Sequence, residues 1–182
     1  MNAEIILKTE RLLFRQHLPE DLEAYCAMEI DADVRRYVGG YPRTHEVAEQ
    51  RFLASLKPAS NQLTMRATIL KEENKYVGRC GIYPHFNAEG FPIPGQASLG
   101  LYIAREYWGR GFVTEAGKAF IDFGFNLLKI GKIVTMIDTR NEVSVHIIKK
   151  LGFKLKETEQ GEYRTFYHFE LSKQFSNSNK TS

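Results

Sequence analysis

The hydrophobic positions of this chain change period along its length, and each change marks an element. From Leu63 the period is two: Met65, Ala67 and Ile69 alternate with Arg66 and Thr68. A polar turn at 71–75 follows, and residues 76–83 return as the partner strand of a hairpin. Residues 97–104 (ASLGLYIA) form a second apolar strand. Beyond it the period becomes helical: Phe112, Ala116, Ala119, Phe120, Phe123 and Leu127 fall on one face, and Val113, Ile121 and Phe125 widen the apolar arc. Such a helix is largely buried. Gly117 and Gly124 each cost that helix about 1 kcal/mol relative to alanine, so close packing is expected at both. Gly131 ends it and 132–138 reads as a buried strand, giving a right-handed strand–helix–strand unit with a parallel pair. A further helix covers 143–151, capped by Asn141 or Asp138 and closed by Gly152. Residues 153–159 and 163–171 pair around Gln160-Gly161 as a last hairpin.

The first third is less regular. Residues 4–16 read as one strand, and Pro19 opens a helix carrying Leu22, Tyr25, Cys26 and Ile30. A short helix at 31–37 follows and stops at Gly39-Gly40-Tyr41-Pro42. Thr44 caps a helix to about Leu56, which Pro58 terminates. Residues 84–96 hold Pro84, Pro92, Pro94, Gly90 and Gly95, and on that composition are expected to form a long loop. Its His85, Phe86 and Phe91 either line a ligand site or cover a sheet edge. The whole is expected to be one mixed α/β domain over 1–171, with a polar, disordered tail at 172–182.

Composition narrows this picture by exclusion. The net charge of +3 is mild and the charges are interspersed, which argues against a nucleic-acid partner. Lys149, Lys150, Lys154 and Lys156 crowd one helix end, where cations suit the dipole and water. There is neither an apolar run of membrane length nor a secretory start, so a cytoplasmic protein without a membrane partner is expected. Cys26 and Cys80 lack metal or redox spacing and read as buried thiols; no metal site is expected.

The most informative stretch is Arg105–Ala116, where the apolar strand runs through Gly109-Arg110-Gly111 into the buried helix. Two glycines let a ligand approach the backbone, and the first helical amides are unpaired at the positive end of the dipole. That geometry suits phosphate. A dinucleotide fingerprint wants glycine where Thr114 stands, and a P-loop wants Gly-Lys-Ser/Thr, which is absent.

Three ordered segments, TERLLFR, YWGRGFVTEAGKAFIDFGF and NEVSVHIIKKLGF, resemble the GNAT superfamily of N-acetyltransferases, in the branch containing the ribosomal-protein N-terminal acetyltransferases. The resemblance spans about Leu7 to Leu171. It implies an α+β fold with a mostly antiparallel sheet of six or seven strands and about four helices, whose strands at 97–104 and 132–138 splay apart. It further implies acetyl-CoA as cofactor, with pantetheine against the backbone of Leu101, Tyr102 and Ile103. The pyrophosphate would lie on amides from Trp108, Gly109, Arg110, Gly111, Phe112 and Val113, with the Thr114 hydroxyl nearby. Asn141 and Ser144 would lie along the pantetheine, and Lys149 near the cofactor's outer end. Glu106 stands where the superfamily's widest pattern has Arg or Gln, and is expected to point outward.

Acetyl transfer to a primary amine needs an uncharged amine, donors for the developing oxyanion and a proton for the thiolate. The resemblance implies direct attack in a ternary complex. Many relatives carry a tyrosine acid where this chain has Ile148, and a glutamate base where it has Ser98. Ser144 is then the candidate acid, against the alternative that it merely bonds its own helix. Tyr102 and His85 are candidate bases beside Glu89, His146 and a water chain; Cys80 lacks a basic partner. The departures at Ser98 and Ile148 motivate a rival reading as a non-catalytic acyl-CoA sensor. The acceptor class, a protein N-terminus or a small amine, is open, as is the choice between monomer and homodimer.

Overall fold

The computed structural model describes residues 4–57 and 62–173. Its strands are β1 (Ile5–Lys8), β2 (Leu12–Arg15), β3 (Thr64–Leu70), β4 (Lys75–Phe86), β5 (Pro92–Ile103), β6 (Lys132–Asp138), β7 (Lys154–Gln160) and β8 (Thr165–Ser172). They form one eight-stranded sheet in the order β1-β2-β3-β4-β5-β6-β8-β7. Every neighbouring pair is antiparallel except β5 and β6. The parallel pair is joined through α4 (Phe112–Asp122), which ends in a π turn at Phe123–Leu127. The other helices are α1 (Leu22–Ile30), α2 (Ala32–Arg35), α3 (His45–Ser55) and α5 (Glu142–Lys150).

Two apolar cores hold the layers. The larger gathers Phe14, Cys80, Ile82, Leu99, Phe112, Phe120, Ile133, Ile148 and Phe169. The smaller packs Tyr25 and Cys26 of α1 against Ala48 and Phe52 of α3. The helix glycines are tolerated for the expected reason: a Cβ on Gly117 would lie 2.6 Å from Leu151 Cδ1 and 3.3 Å from Leu101 Cδ1. That close approach seats α4 on β5.

Three local expectations need correction. Residues 4–16 form two strands, because the chain turns between β1 and β2, with Leu12 N–H donating to Thr9 Oγ1 at 3.0 Å. Residues 84–96 are mostly strand: β4 runs to Phe86 and β5 begins at Pro92. The prolines are accommodated because sheet partners are missing beside them. β3 pairs with β4 only as far as Thr64↔Ile82, so Pro84 has no neighbour on that edge, and Pro94 precedes the first β5–β6 pair at Gln96↔Lys132. What remains of the loop is a tip at 87–91, closed by Asn87, whose Oδ1 accepts from Phe91 N–H at 2.8 Å. The sheet has one strand more than the resemblance implied at most. Ser172 closes β8, and the rest of the expected tail from 174 lies outside the described residues. No helix among the described residues is long and apolar enough to cross a membrane.

Behind the smaller core, His17 is 3% exposed, stacked edge-on against Tyr25 and Phe52, and its Nε2 has no hydrogen-bond partner among the described residues. Burial pushes its pKa down to about 4, with Asp21 acting in the opposite sense. Between that value and the ordinary 6.5, the unfolded chain binds more protons than the folded one, so stability falls as pH falls through this window. The full shift corresponds to about 3 kcal/mol. Urea titrations at pH 7 and pH 4.5 should show His17→Phe losing about 2 kcal/mol less over that interval than the parent chain. Equal acid sensitivity of the two proteins would refute this role for His17.

Candidate active site

The site is built around a fork. β5 and β6 pair only at Gln96↔Lys132, Ala97↔Ile133 and Ser98↔Val134. One residue further, Thr135 Oγ1 donates to the Leu99 carbonyl at 3.2 Å, and beyond that no strand pairs with this edge of β5. On its other edge, the Ala104 N–H donates to Val77 O at 2.9 Å, and the register continues as Arg79↔Tyr102 and Gly81↔Gly100. The alternation of an antiparallel ladder then turns the peptide groups of Gly100 and Tyr102 toward β4, and those of Leu101 and Ile103 into the fork. Trp108 Nε1 donates to the Ile103 carbonyl at 2.7 Å. The edge expected at Leu101, Tyr102 and Ile103 thus narrows to both polar groups of Leu101 and the Ile103 N–H.

At the open end of the fork lies the turn into α4. Gly109 and Gly111 have φ of 74° and 81°, the left-handed region that a side chain disfavours. The first helical bond runs from Glu115 N–H to Gly111 O, so the amides of Phe112, Val113 and Thr114 precede the helical ladder. Arg11 fixes this turn from 100 residues away in sequence. Its Nη1 donates to Arg110 O at 2.9 Å, its Nε donates to Glu115 Oε2 at 2.7 Å, and its guanidinium lies 4.6 Å from the centre of the Phe112 ring. Arg110 lies 4.9 Å from the same ring. Burial alone would raise the Glu115 carboxyl, but hydrogen bonds from Thr9 and Arg11 outweigh it and hold the pKa below its usual value. The turn therefore offers free amides and two guanidinium groups, and no side chain at either glycine. Glu106 is exposed, as expected.

On the other arm, Asn141 caps α5, its Oδ1 accepting from Ser144 N–H at 3.1 Å; Asp138 does not take that role. Asp138 is buried at the end of β6, where Arg140 grips both its oxygens at 2.9 and 2.6 Å and Arg164 lies at 3.8 Å. Hydrogen bonds from Arg140 hold its pKa below the usual carboxylate range against the opposing effect of burial. Ser144 is half-buried, and among the described residues its hydroxyl makes no hydrogen bond to its own helix. Lys149 and His146 are exposed on α5, whereas Ile148 is buried in the larger core, so its position offers no group to the fork.

The face of β5 opposite α4 carries Ser98 and Tyr102. The Arg79 guanidinium lies 4.9 Å from the Tyr102 ring centre, and Glu29, 2% exposed, binds Arg79, Arg43 at 2.6 Å and Arg35 at 3.6 Å. Toward the apex of the fork, His85 Nδ1 lies 3.0 Å from Ser98 Oγ, and Tyr83 stands opposite Ser98 in the strand register. Burial pushes the Tyr83 phenol up to about 12. The His85 pKa is lowered, first by burial and then by His168 and Lys132. Glu89 is exposed at the hairpin tip. Cys80 is fully buried, its pKa pushed up to about 11 by burial, which leaves it inert as a nucleophile. No cluster of metal-binding side chains occurs among the described residues. Neither the Ser98–His85 pair nor the Arg11 clamp was assigned from the sequence. The register of the β4–β5 hairpin carries the first, and no local signal carries the second.

The family described as "Acetyltransferase (GNAT) domain" matches residues 11–154. A Bacillus licheniformis protein named "Uncharacterized N-acetyltransferase p20" is 30% identical over 92% of this chain and 96% of its own. Among solved structures, a GNAT-family acetyltransferase from Bacillus anthracis superposes with a TM-score of 0.77 at 23% identity, covering 91% of this chain and 97% of its own. Spermidine N-acetyltransferase from Vibrio cholerae, solved with CoA and spermine, gives 0.74 at 18% identity over 90% and 96%. At these identities the two structures speak to the fold alone.

Because both turn glycines sit at positive φ, Gly109→Ala and Gly111→Ala should each lower folding stability by about 1–2 kcal/mol in urea titration. A Cβ at Gly109 would meet nothing within 4 Å, so an unchanged midpoint there would show that the turn relaxes without cost.

Proposed function

This chain belongs to the acetyltransferase (GNAT) domain family, as an acetyl-CoA-dependent N-acetyltransferase, and from that premise we propose that it acetylates a primary amine by direct attack within a ternary complex. The observation that carries the proposal is the fork that opens into a phosphate-competent turn. The open edge of β5 supplies Leu101 N–H and C=O and the Ile103 N–H, which can hold an extended amide-bearing arm as a missing strand would. At the mouth, the amides of Phe112, Val113 and Thr114 meet the pyrophosphate where Gly109 and Gly111 leave room, with Arg110 adding positive charge and Arg11, paired with Glu115, holding the turn. Trp108 closes the turn through Ile103. Asn141 keeps its amide donor while its oxygen caps α5, so it and Ser144 face the arm as a pair, with Lys149 further out. The residues present fit acetyl-CoA, which supplies the activated acetyl group.

With the arm on the side of β5 covered by α4, the amine approaches from the face bearing Ser98 and Tyr102. Tyr102 borders that approach, its ring held by Arg79 and through it by Glu29. Ser144, with its hydroxyl unengaged by the helix, is the proton donor for the leaving thiolate. A protein N-terminus and a small amine both satisfy this geometry. The sensor alternative loses half its motivation, because Ser98 is paired with His85 and not isolated.

The proposal is tested by incubating the protein with acetyl-CoA and a panel of peptides, polyamines, aminoglycosides and amino acids while following free thiol. Thiol release with at least one amine is expected, and none across the panel would count against transfer. Gly111→Asp places a carboxylate where phosphate belongs and should lower CoA affinity at least tenfold with the fold retained; calorimetry showing unchanged affinity would move the pyrophosphate elsewhere. Ser144→Ala should lower kcat by about 10²-fold with little change in CoA affinity. Equal losses of both would make Ser144 a binding residue only.

A further inference from the structure

The resemblance implied a glutamate where Ser98 stands, and the structure sets a histidine beside that serine. Ser98 is the last residue of β5 paired to β6, which places it at the apex of the fork. Its hydroxyl lies on the sheet face opposite α4, the face left for the acceptor, and its partner 13 residues back in sequence is His85, at 3.0 Å. The hairpin register brings them together: Tyr83 stands opposite Ser98, and His85, two residues further along β4, falls on the same face by the alternation of the strand. His85 is half-buried, so water reaches its ring. We propose that Ser98 is the residue that takes the proton from the acceptor ammonium, relaying its own hydroxyl proton to Nδ1 of His85. This rests on the acetyl-transfer reading above.

The step balances without a further reactant. The ammonium N–H proton moves to Ser98 Oγ as the Ser98 hydroxyl proton moves to His85 Nδ1, leaving a neutral amine, a regenerated serine and an imidazolium. The imidazolium then gives up a proton to water and, by exchange through solvent, returns as the neutral ring with Nδ1 unprotonated. The amine lone pair then forms the C–N bond as the thioester C–S bond breaks and the thiolate leaves with that electron pair; the second proton of the attacking nitrogen passes to the thiolate by way of the Ser144 hydroxyl, leaving a neutral amide and a free thiol. The surrounding charges suit this cycle. His85 is kept neutral at pH 7 by burial and by the fields of His168 and Lys132. Glu159 binds His168 at 2.6 Å and Glu170 binds Lys132 at 3.1 Å, which leaves both carboxylates engaged elsewhere. Tyr83, opposite Ser98 in the register, has its phenol held protonated at neutral pH by burial. Ser98 makes the contact with substrate; His85 acts through it.

The experiment is the pH dependence of kcat/KM on the best amine of the panel, for the parent chain and for Ser98→Ala, Ser98→Thr and His85→Gln. With the relay intact, the rate levels off above a pKa below 6.5. Without it, the rate keeps rising with the fraction of neutral amine toward a pKa of about 10. At pH 7, Ser98→Ala and His85→Gln should therefore be at least 10²-fold slower, with the gap closing as pH rises, while Ser98→Thr keeps the hydroxyl and the parent profile. CoA affinity should be unchanged in all three. Variants whose profiles run parallel to the parent, or a threonine as poor as the alanine, overturn the relay and leave acetyl transfer standing. A parent chain that binds CoA but turns over no amine overturns the transfer reading itself, and the relay with it.

Discussion

The rest of this molecule depends on the failure of two strands to stay together. β5 and β6 share three residue pairs and then part, so that Leu101 and Ile103 face a gap with peptide groups that a sheet would otherwise satisfy. Buried backbone polar groups require partners. A fork of this kind is therefore a demand for an extended, hydrogen-bonding ligand, and the turn at its mouth adds a demand for negative charge. Both are met by one chemical class, a phosphate-bearing arm with amide groups. The parallel pair creates the arrangement: α4 must cross back between β5 and β6, which sets the start of a helix at the open end of the fork.

Keeping the fork open falls to ion pairs between segments far apart in the chain. Arg11 ties the edge of β2 to α4 through Glu115 and the Arg110 carbonyl. Glu29 gathers Arg35, Arg43 and Arg79, joining α1 and the segment after α2 to β4 beside Tyr102. Asp138 holds Arg140 and Arg164 on the opposite arm. Arg164 in turn donates to the carbonyl of Arg36 at 3.4 Å, so the Asp138 cluster reaches the segment after α2. Buried carboxylates in such clusters add little net stability, but losing one partner strands a charge in low dielectric. Their contribution is to geometry: Arg79 lies against the Tyr102 ring and Arg11 holds the turn into α4.

The acceptor face shows why family resemblance alone gave an incomplete chemistry. Two positions for which the resemblance implied proton-transfer groups hold Ser98 and Ile148. Ile148 is part of the core and carries no chemistry. Ser98 has a histidine at hydrogen-bond distance, contributed by the neighbouring strand. The hairpin sets both side chains on one face.

Much of this was legible in the sequence. The period-two run from Leu63, the apolar strand before Gly109, the helical stripe from Phe112 to Phe123 and the Gly-x-Gly turn each follow from local sterics and spacing, and they determine the strand–turn–helix that favours phosphate. Tight packing at Gly117 was legible too, since a costly residue inside a helix needs a reason. Residues 84–96 were misread because proline and glycine content signals a loop wherever the neighbouring strands are unknown. Whether a proline is tolerated in a strand depends on which edge lacks a partner, and that is a property of the sheet. The same holds for the peptide groups of Leu101 and Ile103, the Arg11–Glu115 clamp and the meeting of His85 with Ser98. Each depends on register or on contacts between distant segments, which only the folded sheet decides.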